Sequence, residues 1–139
     1  MLGCMKFHHI GMAVKSIDAT ASIYEGGGYK VSDVVFDPIQ NVKICWLTKK
    51  GAPIVELLAP VDETSPVCKT LEKNGVAPYH CCYVVENIDE AVRELRKQRY
   101  VLTSKPESAV AFYGSKVCFL YNKNMGLIEL VEAPAKIIE

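Results

Sequence analysis

Neither sign of charge prevails in this chain: 16 lysines and arginines stand against 16 aspartates and glutamates. Without a basic field, attachment to nucleic acid or to an anionic membrane surface has no electrostatic basis, so neither partner is expected. Long apolar runs are missing too. Those present are strand-sized and fall short of the roughly 18 residues of a spanning helix. The opening MLGCMKF lacks the apolar core and small-residue cleavage site of a secretory leader, so a cytoplasmic location is expected. Met5 is a second candidate start, with residues 1–4 as an unstructured extension. The six cysteines, Cys4, Cys45, Cys68, Cys81, Cys82 and Cys118, form no C-x-x-C and no disulfide-framework spacing. They read as reduced thiols, four of them in apolar strand-like text where cysteine acts as a small hydrophobe.

What the chain does have is a repetition. FHHIGMAVKSID begins at Phe7 and PYHCCYVVENID at Pro78. His9 and His80 are 71 positions apart, and the pairs Val14/Val85, Ile17/Ile88, Asp18/Asp89 and Tyr29/Tyr100 keep that interval. IVELLAP from Ile54 and LIELVEAP from Leu127 echo one another as well, setting Glu56 and Glu129 at matching places.

Each half follows one plan. Residues 6–14 alternate like a strand, Ser16 is placed to cap a helix, and Gly26-Gly27-Gly28 stops it. Residues 29–36, 42–47 and 54–58 read as strands. In the second half, residues 79–85 lead to Asn87 as N-cap with Glu90 at the capping-box position. Ile88, Ala91, Val92 and Leu95 then mark one apolar helix face, followed by strands over 100–104, 116–120 and 127–131. The plan is βαβββ twice, in an α+β single domain over residues 1–139. Module 1 covers about 5–62, a connecting helix about 65–75 and module 2 about 78–134. A half of this size buries too little surface alone, so the two must pack as one unit.

Strand alternation places His9 with Gly11 and Ala13, small residues that leave room before it. His8 falls with Ile10, Met12 and Val14, a face suited to packing under a helix, and is expected to point away. Glu56 lies between Val55 and Leu57, and Glu129 between Ile128 and Leu130. Carboxylates inside apolar strands are costly to bury unless they are paired or bound to a cation. Two imidazoles and two carboxylates in register with an internal repeat make a nitrogen and oxygen set for a divalent transition metal.

HHIGMAV, VELLAP, SPVCKTLEKNGVAPYH and GLIELVE together resemble the vicinal oxygen chelate superfamily, along nearly the whole chain. The resemblance implies paired βαβββ modules curled into a cup-shaped mixed sheet around one metal, as in the glyoxalase/bleomycin resistance/dihydroxybiphenyl dioxygenase fold. Its implied ligands are His9, Glu56, His80 and Glu129, holding one divalent Ni, Co, Zn or Mn ion per site. A homodimer acting on a small-molecule substrate, a thiol hemithioacetal or an acyl-CoA thioester, is expected.

The activity expected first is that of glyoxalase I, a lactoylglutathione lyase-type isomerisation of a 2-oxoaldehyde–thiol hemithioacetal through a metal-stabilised enediolate. Glu129 would be the base and Glu56 its partner. The alternative is proton transfer like that of methylmalonyl-CoA epimerase. Such epimerases supply a carboxylate from text like Pro-Glu-x-Gly-Val, and here the stretch is Pro38-Ile39-Gln40-Asn41-Val42. Ile39 carries no proton, and Asp37 nearby is a poor substitute, so the comparison favours the glyoxalase type. A bleomycin-resistance-like binding protein without chemistry is a lesser alternative, since such proteins generally lack the ligands. In the loop KPESAVAFYGSKV, Phe112 and Tyr113 are candidates to line the substrate pocket, with Trp46 on its wall.

Overall fold

A computed structural model describes residues 2–139. The first module runs β1 (Lys6–Ala13), α1 (Ile17–Gly26), β2 (Lys30–Val31), β3 (Val35–Asp37), β4 (Val42–Thr48) and β5 (Ile54–Pro60). After α2 (Val67–Asn74) the second runs β6 (Ala77–Val85), α3 (Ile88–Lys97), β7 (Val101–Ser108), β8 (Lys116–Asn122) and β9 (Gly126–Glu132). The single strand expected over 29–36 is two short ones, β2 and β3, both paired antiparallel with β4. The strand expected over 100–104 continues through Ser108, so the first part of the expected loop is β7. Leu2–Cys4 form a 3-10 turn where an unstructured extension was expected, and Met1 lies outside the described residues.

Local chemistry accounts for the helices. The Ser16 side chain accepts the N–H of Ala19, and the Asn87 side chain accepts that of Glu90. Glu132 reaches from β9 to accept the N–H of Ile88, one of the orphan donors in the first turn of α3. Gly75 ends α2 with φ of +69°, a conformation open to glycine at little cost.

All strands join one sheet in the order β2-β4-β5-β1-β6-β9-β8-β7, with β3 beside β4. Within each module the first and last strands pair in parallel, β1 with β5 and β6 with β9. Between modules, β1 and β6 pair antiparallel, so the halves meet edge to edge. Val14, Ile17, Ala21, Leu47 and Leu57 pack α1 against one outer face, and Ile88, Leu95, Leu120, Ile128 and Leu130 pack α3 against the other. The inner face is a third cluster that includes Ala13, Ile44, Trp46, Leu58, Cys82, Phe112, Val117 and Val131. Strands β5 and β9 are buried on both faces, which is why their text is nearly continuous apolar residues around one glutamate. No described helix is long and apolar enough to cross a membrane.

Candidate metal centre

The four residues singled out by the repeat converge on the inner face at the seam between modules. His9 and His80 come from the two seam strands, Glu56 from β5 on one side and Glu129 from β9 on the other. All four are buried, His9 and Glu129 to 1% exposure or less. His9 Nε2 lies 3.2 Å from Glu56 Oε1 and 3.2 Å from Glu129 Oε1. His80 Nε2 lies 3.4 Å and 3.3 Å from the same two oxygens, and the two Nε2 atoms are 3.3 Å apart. One chain supplies the whole set.

These distances fit an ion better than a hydrogen-bond network. Glu56 Oε1 and Glu129 Oε1 are close to imidazole nitrogens, yet neither has a hydrogen-bond partner in proper line. The two Nε2 atoms are within hydrogen-bond distance of each other, but the two carboxylate oxygens beside them are left unpaired. Atoms so spaced surround a point roughly 2 Å from each, the length of a nitrogen or oxygen bond to a divalent transition metal. Among the described residues, His9, Glu56, His80 and Glu129 thus form a group able to hold such an ion. Without one, the carboxylates lean on the histidines. Burial alone would lower His9, but the charge of Glu56 and the hydrogen-bonding reach of both glutamates raise it to about 9. His80 is raised in the same way against its burial. Burial pushes Glu129 up, and the two imidazoles overcome this and hold it down at about 2. Glu56 is also lowered, chiefly by His9 against its burial.

Two features around the centre were not visible in alternation. The β1–β6 register slips by one residue at His8, between the pairs Phe7↔Tyr83 and His9↔Cys82. It slips again at Tyr79, between Gly11↔His80 and Met12↔Pro78. Each bulge residue directly precedes a histidine of the centre, at equivalent places of the repeat. A bulge re-aims its side chain, and this corrects the expectation that His8 points away beneath a helix. His8 Nδ1 lies 2.8 Å from His9 Nδ1, and its Nε2 lies 3.1 Å from the carbonyl oxygen of Ala135. Its ring sits 5.9 Å from Trp46 and 5.2 Å from Phe112. Burial, then the charge of His9, lowers its pKa.

The surroundings are unequal on the two sides. On the His9 side, Trp46 (4.9 Å) and Phe112 (6.0 Å) pack against the ring, and Trp46 Nε1–H donates to the Ala111 carbonyl. On the His80 side, Tyr79 (4.7 Å) and Phe119 (5.3 Å) flank the ring and also line an open cavity of about 380 Å3. Its walls include Ile39, Val42, Val117 and Leu127, with Lys105 and Glu107 among the polar residues.

This places the expected pocket residues elsewhere. Trp46 and Phe112, expected at the substrate pocket, are core residues at 1% and 2% exposure and do not line that cavity. Tyr113 is 68% exposed at the end of the turn Val110–Phe112 and does not line it either. Asp37 and Ile39 do line it. Both carboxylate oxygens of Asp37 are engaged, by the backbone N–H groups of Ile39 and Gln40 and by Gln40 Nε2–H. All six cysteines are free, with Cys45, Cys82 and Cys118 buried, and Cys82 lies on the inner face, two residues along β6 from His80.

Comparison with known proteins fixes the relationships. The family described as the Glyoxalase/Bleomycin resistance protein/Dioxygenase superfamily matches residues 8–119. The mitochondrial methylmalonyl-CoA epimerase of Mus musculus is 32% identical over 132 residues, 92% of this chain and 73% of its own length. The structure of methylmalonyl-CoA epimerase from Mycobacterium tuberculosis superposes with a TM-score of 0.81 at 28% identity, over 91% of this chain and 87% of that one. A methylmalonyl-CoA epimerase in complex with methylmalonyl-CoA and ammonium gives 0.81 at 27% identity, over 98% and 99%. The relatives are epimerases, which overturns the glyoxalase I activity expected first and supports the alternative. Similarity spread along the chain outweighs the single departure at Ile39. Fold, repeat and family match agree: the chain belongs to the glyoxalase/bleomycin resistance protein/dioxygenase superfamily.

Proposed function

We propose that this protein is a metal-dependent epimerase of an acyl-CoA thioester with an acidic α-carbon, methylmalonyl-CoA or a close analogue. The observation that carries it is the buried His9, Glu56, His80 and Glu129 centre beside an open cavity, in a chain whose relatives bear that activity. His9, Glu56, His80 and Glu129 would hold one divalent ion, for which Ni, Co, Zn and Mn are the candidates. When bound, such an ion supplies a Lewis acid that polarises the thioester carbonyl. The chain's own residues do the rest. The cavity on the His80 side receives the acyl group, and the packed aromatic wall on the His9 side keeps water from that flank. Glu129 takes the α-proton as a fixed base, and Glu56 balances the charge of the centre.

For return of a proton to the opposite face, the cavity residues Ile39 and Asp37 are poorly suited, the first a hydrocarbon and the second with its oxygens already occupied. That leaves water from the open mouth, or Glu107, which is ion-paired with Lys105 at 3.5 Å. Exchange of the α-proton should therefore run faster than inversion. A homodimer is not needed to complete the centre, since one chain supplies all four groups.

The test is to load the metal-free protein with each candidate ion and incubate it with one stereoisomer of methylmalonyl-CoA in deuterium oxide. Deuterium at the α-carbon ahead of loss of optical purity is expected. Absence of both with every ion would refute the proposal.

A further inference from the structure

We propose that His8 is a positioning residue which, with the carbonyl of Ala135, fixes His9 in the tautomer whose Nε2 lone pair faces the centre. This rests on the reading of the centre as a metal site. The assignment follows from which atoms carry protons. The Ala135 carbonyl oxygen only accepts, so the 3.1 Å contact requires the proton of His8 on Nε2. A neutral imidazole has one N–H, so His8 Nδ1 is then a bare acceptor. It lies 2.8 Å from His9 Nδ1, and His9 must supply the proton of that hydrogen bond. Neutral His9 therefore carries its proton on Nδ1, with Nε2 free among Glu56, His80 and Glu129.

The surroundings hold this relay in place. The two rings stand at 85° to each other, and Trp46 and Phe112 confine His8. Ala135 is 5% exposed within the inner cluster, and the segment after β9 is docked by Ile138 N–H donating to the Ala111 carbonyl. His80 has no equivalent: its Nδ1 is buried without a hydrogen-bond partner among the described residues. Tyr79, the bulge residue that matches His8 in the repeat, flanks the cavity instead. The two histidines of the centre are thus fixed by different means, and removing the His8 acceptor should disturb His9 alone.

The experiment reads protons directly. In zinc-loaded protein with 15N-labelled histidine, long-range 1H–15N spectra should show His8 neutral with its proton on Nε2 and His9 with its proton on Nδ1. A His8 protonated on Nδ1, or on both nitrogens, overturns the proposal whatever the variants do. For zinc affinity, His8→Leu should weaken binding about ten- to a hundredfold, the scale of losing a ligand's outer hydrogen bond. His8→Asn returns an oxygen acceptor near the place of Nδ1 and should recover most of that loss. Unchanged affinity in His8→Leu, or His8→Asn no better than His8→Leu, also overturns it. If the wild-type chain takes up none of Ni, Co, Zn and Mn, it is the metal reading that fails. The tautomers are then read in the metal-free chain at a pH alkaline enough for His9 to be neutral, and the same two outcomes decide.

Discussion

Gly11 and His80 face each other across the β1–β6 seam, and the imidazole of His80 fills the space where Gly11 would carry a Cβ. A methyl group at Gly11 overlaps Cε1, Nε2 and Nδ1 of that ring. Gly11→Ala should therefore displace His80 and lower zinc affinity by at least about tenfold, the lower end for a disturbed ligand shell. Isothermal titration checks this. Wild-type affinity would mean the ring has another place to go.

Glu129→Gln keeps an oxygen in the centre and removes the proton acceptor. Exchange of the α-proton of methylmalonyl-CoA should fall by about 10²-fold or more while zinc is at least partly retained. Deuterium incorporation against bound metal, measured on one preparation, separates the two effects. Full exchange in the metal-loaded variant would remove Glu129 from the role of base.

The metal-free protein should be most heat-stable in mildly acid solution. His9 is raised from 6.5 to about 9 on folding, so its contribution is complete below about 6.5 and is lost as pH rises through 9. Glu129 is lowered from 4.5 to about 2, so its contribution is present above 4.5 and is lost as pH falls through 2. The Tm of the chelator-treated chain should therefore peak between pH 4.5 and 6.5. Binding a metal requires neutral imidazoles, so zinc affinity should instead tighten up to about pH 9, with protons released on uptake. Calorimetry across that range tests both trends. An apo-protein Tm that climbs steadily towards pH 9 would contradict the first.

Phe112 is buried in the inner cluster at 2% exposure. Phe112→Ala should cost about 3–5 kcal/mol of stability, as for other buried aromatics cut to alanine. Urea unfolding of the variant measures it, and the KM of any surviving activity should change little. A large KM effect with little loss of stability would return Phe112 to the pocket wall.

Much of this was legible because a repeat fixes register twice over. His9 and Glu56 could be paired with His80 and Glu129 from spacing alone, and period-2 alternation then chose the inner face. Alternation failed at His8, since a one-residue bulge leaves no mark in the amino-acid pattern and changes where a side chain points. A faint signal was available: each histidine of the centre is preceded by a ring residue, His8 in one half and Tyr79 in the other. The burial of Trp46 and Phe112 was not legible, because such rings suit a core as well as a binding wall and only packing decides between them. Reaction type was misjudged because a single position, Ile39, says less than similarity carried along most of the chain.

The edge-to-edge seam makes the centre a clasp. Each half of the chain owns one imidazole and one carboxylate, so neither can grip an ion until β1 and β6 have found their register. A slip of a single residue along that seam would turn one histidine away and leave a half-set behind. If the centre takes up a metal as proposed, uptake during refolding would time the moment at which the two halves close.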